Sequence, residues 1–530
     1  MSVGNTYGRI TIYAPYSEQE LLKLNDEELK TTIVGLMTDI ITIHDINKAE
    51  TRALWDYYLG NQDILNKKKF TREEINNKKV ENWAYALVDF KKNWLVGEPI
   101  QYTMSNNSSS DEIEQLNKYV KYEDKDAKDQ ELIEDVYVCG RGFRFVKKDL
   151  PDEDDEAPFS IANIKRDNCE VVYSSNLGNE QLFSIVETEM KERITKVDEI
   201  TGFKSFEDVP YSEYTIYLRN KMFTISYKSA SPIVSKITPL ILNEHLITEY
   251  RINRDRISLI EIGKDLFDGI NQLESDDFDD LDQFVNAIMV FTNADIDEDG
   301  LKEMKTLGAI KIKSTENRKA SVDELKQRLN ASDTQVFYTR LLTALHQILG
   351  VPMATDNGSV TSGDTGKAKL TGQGFTSSGI RSKSDQTMIK SCDRKTLKVI
   401  LKICREAGNS KIKKLRVSDV DIKFNIDKSE NLLTKSEALN VLITMGVPKE
   451  YAVPLVNLFG DPTAVVNAWN DALDKQKKEQ EQKQLEFGNN FNNQSNNINK
   501  NQGTKIEENK QTNQTINKTN NALQKQEQNK

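Results

Sequence analysis

Between Leu259 and Cys404 the chain sets in strict order an acidic helix, a compact α/β insert, a second long helix and a Gly/Ser/Thr-rich loop. In the first of these, Leu266, Ile270, Leu273, Leu281, Phe284 and Ile288 keep one seam of helical period, and such a seam needs a neighbour to pack on. Its other faces carry Asp265, Asp268, Glu274, Asp276, Asp277, Asp279, Asp280 and Asp282 against a single Lys264. A face of that kind is expected to repel polyanions rather than bind them. Two long helices that bracket an insert and lead straight into a flexible polar loop make a poor isolated globule. They fit one wedge of a ring closed by repeated contacts between copies.

At 530 residues the chain can bury a sizeable core and is expected to divide into more than one region. A formal charge of −11 argues against a general nucleic-acid binder that works by neutralising phosphates. From Lys475 to the end there are ten Lys and six Glu, so this tail is +4 and the rest −15. Cys139, Cys169, Cys392 and Cys404 form no CxxC pair, and His44, His245 and His346 are scattered, so neither a zinc site nor a disulfide framework is expected. Apolar runs such as Ala287 to Phe291 are too short to span a bilayer, and no charged-then-apolar leader opens the chain. A reducing cytoplasm is the expected place of assembly, without membrane contact.

Leu29, Ile33, Leu36, Ile40 and Ile43 predict a helix that runs toward Trp55-Asp56-Tyr57-Tyr58-Leu59 and stops at Gly60. Trp83, Leu87, Phe90, Trp94 and Leu95 predict a second, ending at Gly97-Glu98-Pro99. From Val136 to Ile237 the pattern turns to short β-type runs: Phe143 to Val146, Glu170 to Tyr173, Leu182 to Val186, Tyr214 to Leu218 and Met222 to Tyr227. Strands that follow helices favour an α+β fold over alternating βαβ units. The insert Met289 to Lys313 reads as strand, short helix and strand. Ser321 with Glu324 fits a capping box opening the second long helix, which carries Leu325, Leu329, Val336, Leu341, Leu345 and Ile348. A further helix is expected from about Ile380 to Glu406, a strand from Asp419 to Ile426, and helices over Ser429 to Leu473. Beyond Lys475 the chain is Asn/Gln/Lys-rich and has too little apolar surface to offset the entropy of ordering.

Three segments imitate chemical sites. Asp295-Ile296-Asp297-Glu298-Asp299-Gly300 opens like a calcium loop, but Thr306 stands where a bidentate carboxylate is needed, so an acidic turn capping a helix is the better reading. Thr361 to Ala368 resembles a phosphate loop, yet Thr361 replaces the first Gly, Ala368 replaces the magnesium-binding hydroxyl, and a helix rather than a strand precedes it. The carboxylates between Phe267 and Asp282 lack converging partners for metal-dependent hydrolysis. No histidine has a nucleophile beside it in sequence. No catalytic residue, cofactor site or metal site is therefore assigned. The aromatic residues Trp55, Tyr57, Tyr58, Trp83 and Trp94 are at helical spacing and read as core or subunit contact.

The order of features resembles the portal proteins of tailed bacteriophages, in the family found in siphophages of Gram-positive hosts, over most of residues 30 to 475. The resemblance is carried by Tyr57-Tyr58-Leu59-Gly60 with Gln62 and Ile64, by Trp83 to Phe90, and by Trp94-Leu95-Val96-Gly97-Glu98-Pro99-Ile100-Gln101-Tyr102. It continues through Ile260 to Asn271, Leu281 to Phe291 and Leu307-Gly308-Ala309-Ile310, then Ile348-Leu349-Gly350-Val351-Pro352 leading to Ser362-Gly363-Asp364-Thr365-Gly366. Thr365 departs from the Ala that many relatives carry there. Gly366, Gly372, Gly374 and Gly379 dilute the helix that follows by about 1 kcal/mol each relative to Ala.

What the resemblance implies is a dodecameric ring at one capsid vertex. Residues 1–263 would be N-terminal helices and a β-rich wing, 264–288 the first stem helix, 289–320 the clip, and 321–350 the second stem helix. Residues 351–365 would be the tunnel loop, 366–428 a wing helix and strand, 429–475 the crown, and 476–530 a disordered tail. Double-stranded DNA would pass through the channel without sequence readout, touched by Asn357, Ser359, Thr361, Ser362 and Lys367. Asp295, Asp297 and Asp299 of the clip would meet the terminase and later the head-tail adaptor. Capsid and scaffolding proteins are further expected partners, in a virion component assembled in the host cytoplasm. Two other readings stay open: a nucleotide-binding enzyme using the 361–368 loop, and a monomeric virion or adaptor component.

Overall fold

The computed structural model describes residues 8–70, 73–105, 110–150, 156–197, 204–228, 231–285, 288–292, 321–325, 331–353, 375–424, 432–456, 458 and 465–479. A short strand β1 (Ile12–Ala14) precedes helix α1 (Glu18–Lys23) and the 33-residue helix α2 (Asp26–Tyr58). The two helices open on capping boxes, Ser17 with Glu20 and Asn25 with Glu28, which satisfy otherwise orphaned amides. Along α2 the buried positions Leu29, Ile33, Met37, Ile40, His44, Asn47, Thr51, Leu54 and Tyr58 advance by three or four residues, a single continuous stripe. Gly60 ends the helix at φ +99°, as the sequence predicts, with Asn61 donating back to the Asp56 carbonyl.

Helix α3 (Trp83–Val96) and strand β2 (Gln101–Met104) follow, then two helices absent from the sequence reading, α4 (Asp111–Tyr122) and α5 (Lys125–Cys139). The β-rich region therefore begins at strand β3 (Gly142–Lys148), not at Val136. Strands β4 (Phe159–Ile164), β5 (Cys169–Ser174), β6 (Gln181–Val197), β7 (Lys204–Leu218), β8 (Lys221–Ser226), β9 (Ile233–Val234), β10 (Thr238–Pro239) and β11 (Ile247–Tyr250) complete it. A seven-stranded sheet has the order β1-β5-β6-β7-β8-β10, with β9 paired to β8 and β1 parallel to β5; β11-β3-β4 form a separate three-stranded sheet. Mixed helix and strand in these proportions is the expected α+β class.

The first half of α2 lies on the large sheet, where Leu29, Ile33, Met37 and Ile40 meet Val172, Phe183, Ile185, Ile216 and Phe223. Its last turn enters a second core with Leu87, Leu116, Val136 and Phe159. Between the two cores the contact turns ionic. His44 Nε2 is 3.0 Å from Glu187 and Nδ1 3.5 Å from Glu170, and Glu170 is itself gripped by Arg141. Burial alone would lower the imidazole pKa, but the two carboxylates hold it above its ordinary value.

Helix α6 (Leu259–Val285) and strand β12 (Ile288–Thr292) lead to strand β13 (Ser321–Leu325), helix α7 (Ala331–Leu349) and helix α8 (Phe375–Glu406). The expected helix start at Ser321 is corrected. Ser321–Leu325 pairs antiparallel with β12, Thr292 opposite Ser321 and Ile288 opposite Leu325, and the helix opens at Ala331. The backbone partner across the ribbon outweighs a local capping signal. Strand β14 (Val420–Lys423) pairs with β2. A buried network ties α8 to the small sheet and α5: Asp393 accepts from Tyr102 (2.8 Å) and Tyr250 (2.9 Å), while Lys125 lies 3.5 Å from Asp393 and 2.6 Å from Asp129. Each buried charge there faces a partner, which such groups require.

The chain splits into two compact units, Met1–Glu437 and Ala438–Lys530. In the second, helix α9 (Leu432–Thr444, which begins before the boundary), α10 (Lys449–Val456) and a helix over 465–479 gather Leu439, Ala452, Val453 and Val466 into a small core.

Candidate channel element

Helices α6 and α7 form an antiparallel pair. Gly263 lies against Leu345 and Gly269 against Leu341, so the start of α6 meets the end of α7. A Cβ at Gly263 would meet Phe267 at 2.7 Å and Leu345 at 3.3 Å, so glycine permits this close approach. The β12–β13 ribbon joins the pair at the opposite end. On α7, Tyr338, Leu341, Leu342, Leu345 and Leu349 face the core, while Val336, Phe337 and Ile348 are exposed. On α6, Ile262, Phe278 and Leu281 are exposed as well. The helix pair thus leaves several apolar side chains exposed among the described residues, with Lys79 over the Phe278 ring at 4.2 Å.

The acidic side of α6 differs from the sequence reading. Residues 62–70 and 73–82 supply a polar ladder alongside it. Gln62 and the Glu81 amide bond Asn271, the Lys79 amide donates to Ser275, and Lys67 reaches Asp276 at 2.7 Å. Asp279 is buried and accepts from the Asn77 amide (2.6 Å), Lys67 (3.0 Å) and Lys69 (3.0 Å). Burial alone would raise its carboxyl, but these donors depress it to about 2. Asp268 is held by Lys264 and the Tyr57 hydroxyl. Part of the face is therefore internal and neutralised, which corrects the picture of an open acidic surface. What remains is crowded: burial and neighbouring carboxylates raise the pKa of Glu274 and of Asp280. The basic run Lys67-Lys68-Lys69, followed by Lys78-Lys79, is the sequence signal that foretells this contact.

At the other end, α7 closes on Gly350 at φ +69°, with the Val351 amide donating to the His346 carbonyl. Arg381 of α8 donates to the Ile348 carbonyl at 2.6 Å, and Lys91 bridges toward Leu349 and Asp385. The C-terminal end of α7 is therefore tied to α8 through Arg381 and to α3 through Lys91. Asn357, Ser359, Thr361, Ser362 and Lys367 lie outside the described residues, as do Asp295, Asp297, Asp299, the 361–368 loop and the strand expected at Ala309 to Lys313. Among the described residues, no group of His, Cys, Asp and Glu is placed to hold a metal ion, and no helix is long and apolar enough to cross a membrane.

Comparison with known proteins bears on this element directly. The family model "Phage portal protein, SPP1 Gp6-like" matches residues 38–486, which contain both helices and the ribbon. A curated relative, the portal protein of Bacillus phage SPP1, is 24% identical over 258 residues, 45% of this chain and 48% of that protein. The chain thus aligns with about half the length of that relative. A family match over most of the chain, running from the middle of α2 past the small C-terminal core, identifies it: the chain belongs to the SPP1 Gp6-like family of phage portal proteins.

Proposed function

We propose that copies of this chain close into a dodecameric ring at one capsid vertex, through which double-stranded DNA is packaged and later ejected. The observation that carries the reading is the antiparallel α6–α7 pair, with exposed apolar side chains among the described residues, the β12–β13 ribbon at one end and the tie from α7 to α8 at the other. In this reading α6 and α7 are the stem and the β12–β13 region, with Asp295, Asp297 and Asp299, is the clip that meets terminase and then the head-tail adaptor. The loop carrying Asn357, Ser359, Thr361, Ser362 and Lys367 touches DNA, residues 1–263 with 366–428 form the wing, and 429–475 form the crown. Small hydroxyl and amide side chains can contact phosphates without reading bases. Capsid and scaffolding proteins would surround the ring. No catalytic step is assigned to the chain.

Electron microscopy and native mass measurement on the purified protein test this. Rings with a central hole and a mass near twelve copies are expected. A folded protein that stays monomeric across concentration and salt would overturn the ring and favour the monomeric adaptor reading.

A further inference from the structure

Helix α8 and the loop that follows it carry ten Lys and Arg between Lys390 and Arg416 against Asp393 and Glu406, in a chain whose net charge is −11. They do not form a diffuse solvated stripe. Arg394, Lys398 and Arg405 are four and seven residues apart on one face of α8 and line a cleft of about 890 Å³ with Lys395, Lys414 and Arg416. The second wall is the 413–416 loop, and it is built. The Glu112 carboxylate of α4 accepts from the backbone amides of Lys413 (3.0 Å), Lys414 (3.1 Å) and Leu415 (2.7 Å). Arg405 donates to the Leu415 carbonyl at 3.0 Å, and Ile412 and Leu415 are buried beneath.

Glu244 offsets part of the charge at one rim, at 2.9 Å from Lys398 and 3.6 Å from Lys402. Among the described residues, the side chains of Arg394, Lys395, Lys414 and Arg416 form no ion pair, although the Lys414 and Arg416 amides bond Glu112 and Asp419, and all four residues are exposed.

We infer that this cleft is a second nucleic-acid contact, distinct from the proposed tunnel loop, and that it holds the phosphate backbone of duplex DNA. Charge complementarity identifies an anionic polymer. The lining separates a phosphate backbone from an acidic peptide: Val417 is its one apolar member and no aromatic ring is present. Protein partners are held by desolvated apolar and aromatic anchors, whereas a backbone needs cations alone. The arginine forks match phosphate oxygens two at a time. The choice of DNA over RNA rests on the portal reading; the site itself does not. An acidic protein with one local basic cleft would bind weakly and with steep salt dependence, without base preference.

The test uses the full chain and a labelled duplex of roughly 30 base pairs, titrated from about 50 to 300 mM salt. The four exposed cations are replaced together (Arg394→Gln, Lys395→Gln, Lys414→Gln, Arg416→Gln). A control of equal charge change carries Lys147→Gln, Lys148→Gln, Lys191→Gln and Lys236→Gln. The cleft variant is expected to lose at least about tenfold in affinity near 0.1 M salt, and its log–log salt slope to fall by about 3 to 4, while the control changes little. Equal loss in both variants, no change in the cleft variant, or no binding by the wild type would overturn the inference. Tighter binding of oligoglutamate than of the duplex, lost in the cleft variant, would make it a peptide site instead. Rings scored on the same samples keep the readings apart: intact rings without cleft-dependent binding sink this inference alone, and monomers with it sink the ring alone.

Discussion

Asp279 shows what one buried carboxylate does for the α6 ladder. It is 1% exposed and faces two ammonium groups and a backbone amide, so Asp279→Asn leaves Lys67 and Lys69 opposite a neutral amide. A loss of about 1–3 kcal/mol near neutral pH is expected. The folded carboxyl sits at about 2, below its ordinary value of about 3.9, so the unfolded chain binds more protons between the two. Its stabilisation is complete above pH ~4 and is lost as pH falls through about 2. His44 has the opposite sign. Its pKa is raised in the fold, so its contribution is complete below about 6.5 and is lost as pH rises through the higher folded value. Urea unfolding across pH should therefore show the gap between wild type and Asp279→Asn closing on the acid side, and that for His44→Gln closing on the alkaline side. Gaps that do not change with pH would mean that neither group titrates differently in the folded and unfolded chain.

Helix α7 has two faces whose substitutions should separate folding from assembly. Leu345 is fully buried against α6, and Leu345→Ala should cost about 2–5 kcal/mol of stability. Val336 is 69% exposed, and Val336→Ser should leave stability within about 0.5 kcal/mol while rings come apart at lower salt or higher dilution. Calorimetry with mass measurement reads both, and a Val336→Ser protein with unaltered rings would remove this face from the subunit contact. Helices with such one-sided seams were legible in the sequence, as were the strand cores of β3, β5 and β8. Other elements depend on distant partners. Ser321–Leu325 carries a local capping signal and becomes a strand because β12 lies beside it. The outer half of the β6–β7 hairpin is charged and is held by cross-strand pairs such as Arg193 with Asp208. Helix α5 escaped notice because Lys125, Asp129 and Asp135 are buried on it, each meeting an ionic partner elsewhere in the chain or on the helix itself. For the ladder on α6 the lysine runs signal a contact but not its pairing, and the pairing, like the basic cleft, was illegible for the same reason. Each joins segments remote in sequence, residues 67–79 with 271–282 and Glu112 with 413–415.

For the whole molecule, the chemistry of the chain's last stretch decides how much sequence the assembled protein requires. Beyond Leu485 there are six Lys and four Glu amid Asn, Gln and Thr, with isolated apolar residues such as Ile498, Ile506 and Ile516. Those isoleucines, eight and ten residues apart, make no helical or strand face, and only Phe487 and Phe491 stand one helical turn apart, so this stretch has little to bury in return for the entropy of ordering it. The small C-terminal core is already complete upstream, with Leu439, Ala452, Val453 and Val466 packed together. Ending the chain after Leu485 removes a net charge of +2, which leaves the remainder at −13. At physiological salt, charges on a solvated tail are largely screened beyond about 8 Å, so this change should not disturb the folded part. The truncated protein is therefore expected to keep the melting temperature and ring count of the full chain, measured by calorimetry and particle counting. A drop of several degrees, or loss of rings at the same protein concentration, would show that residues 486–530 dock on the assembled body and that their apolar residues are spent there.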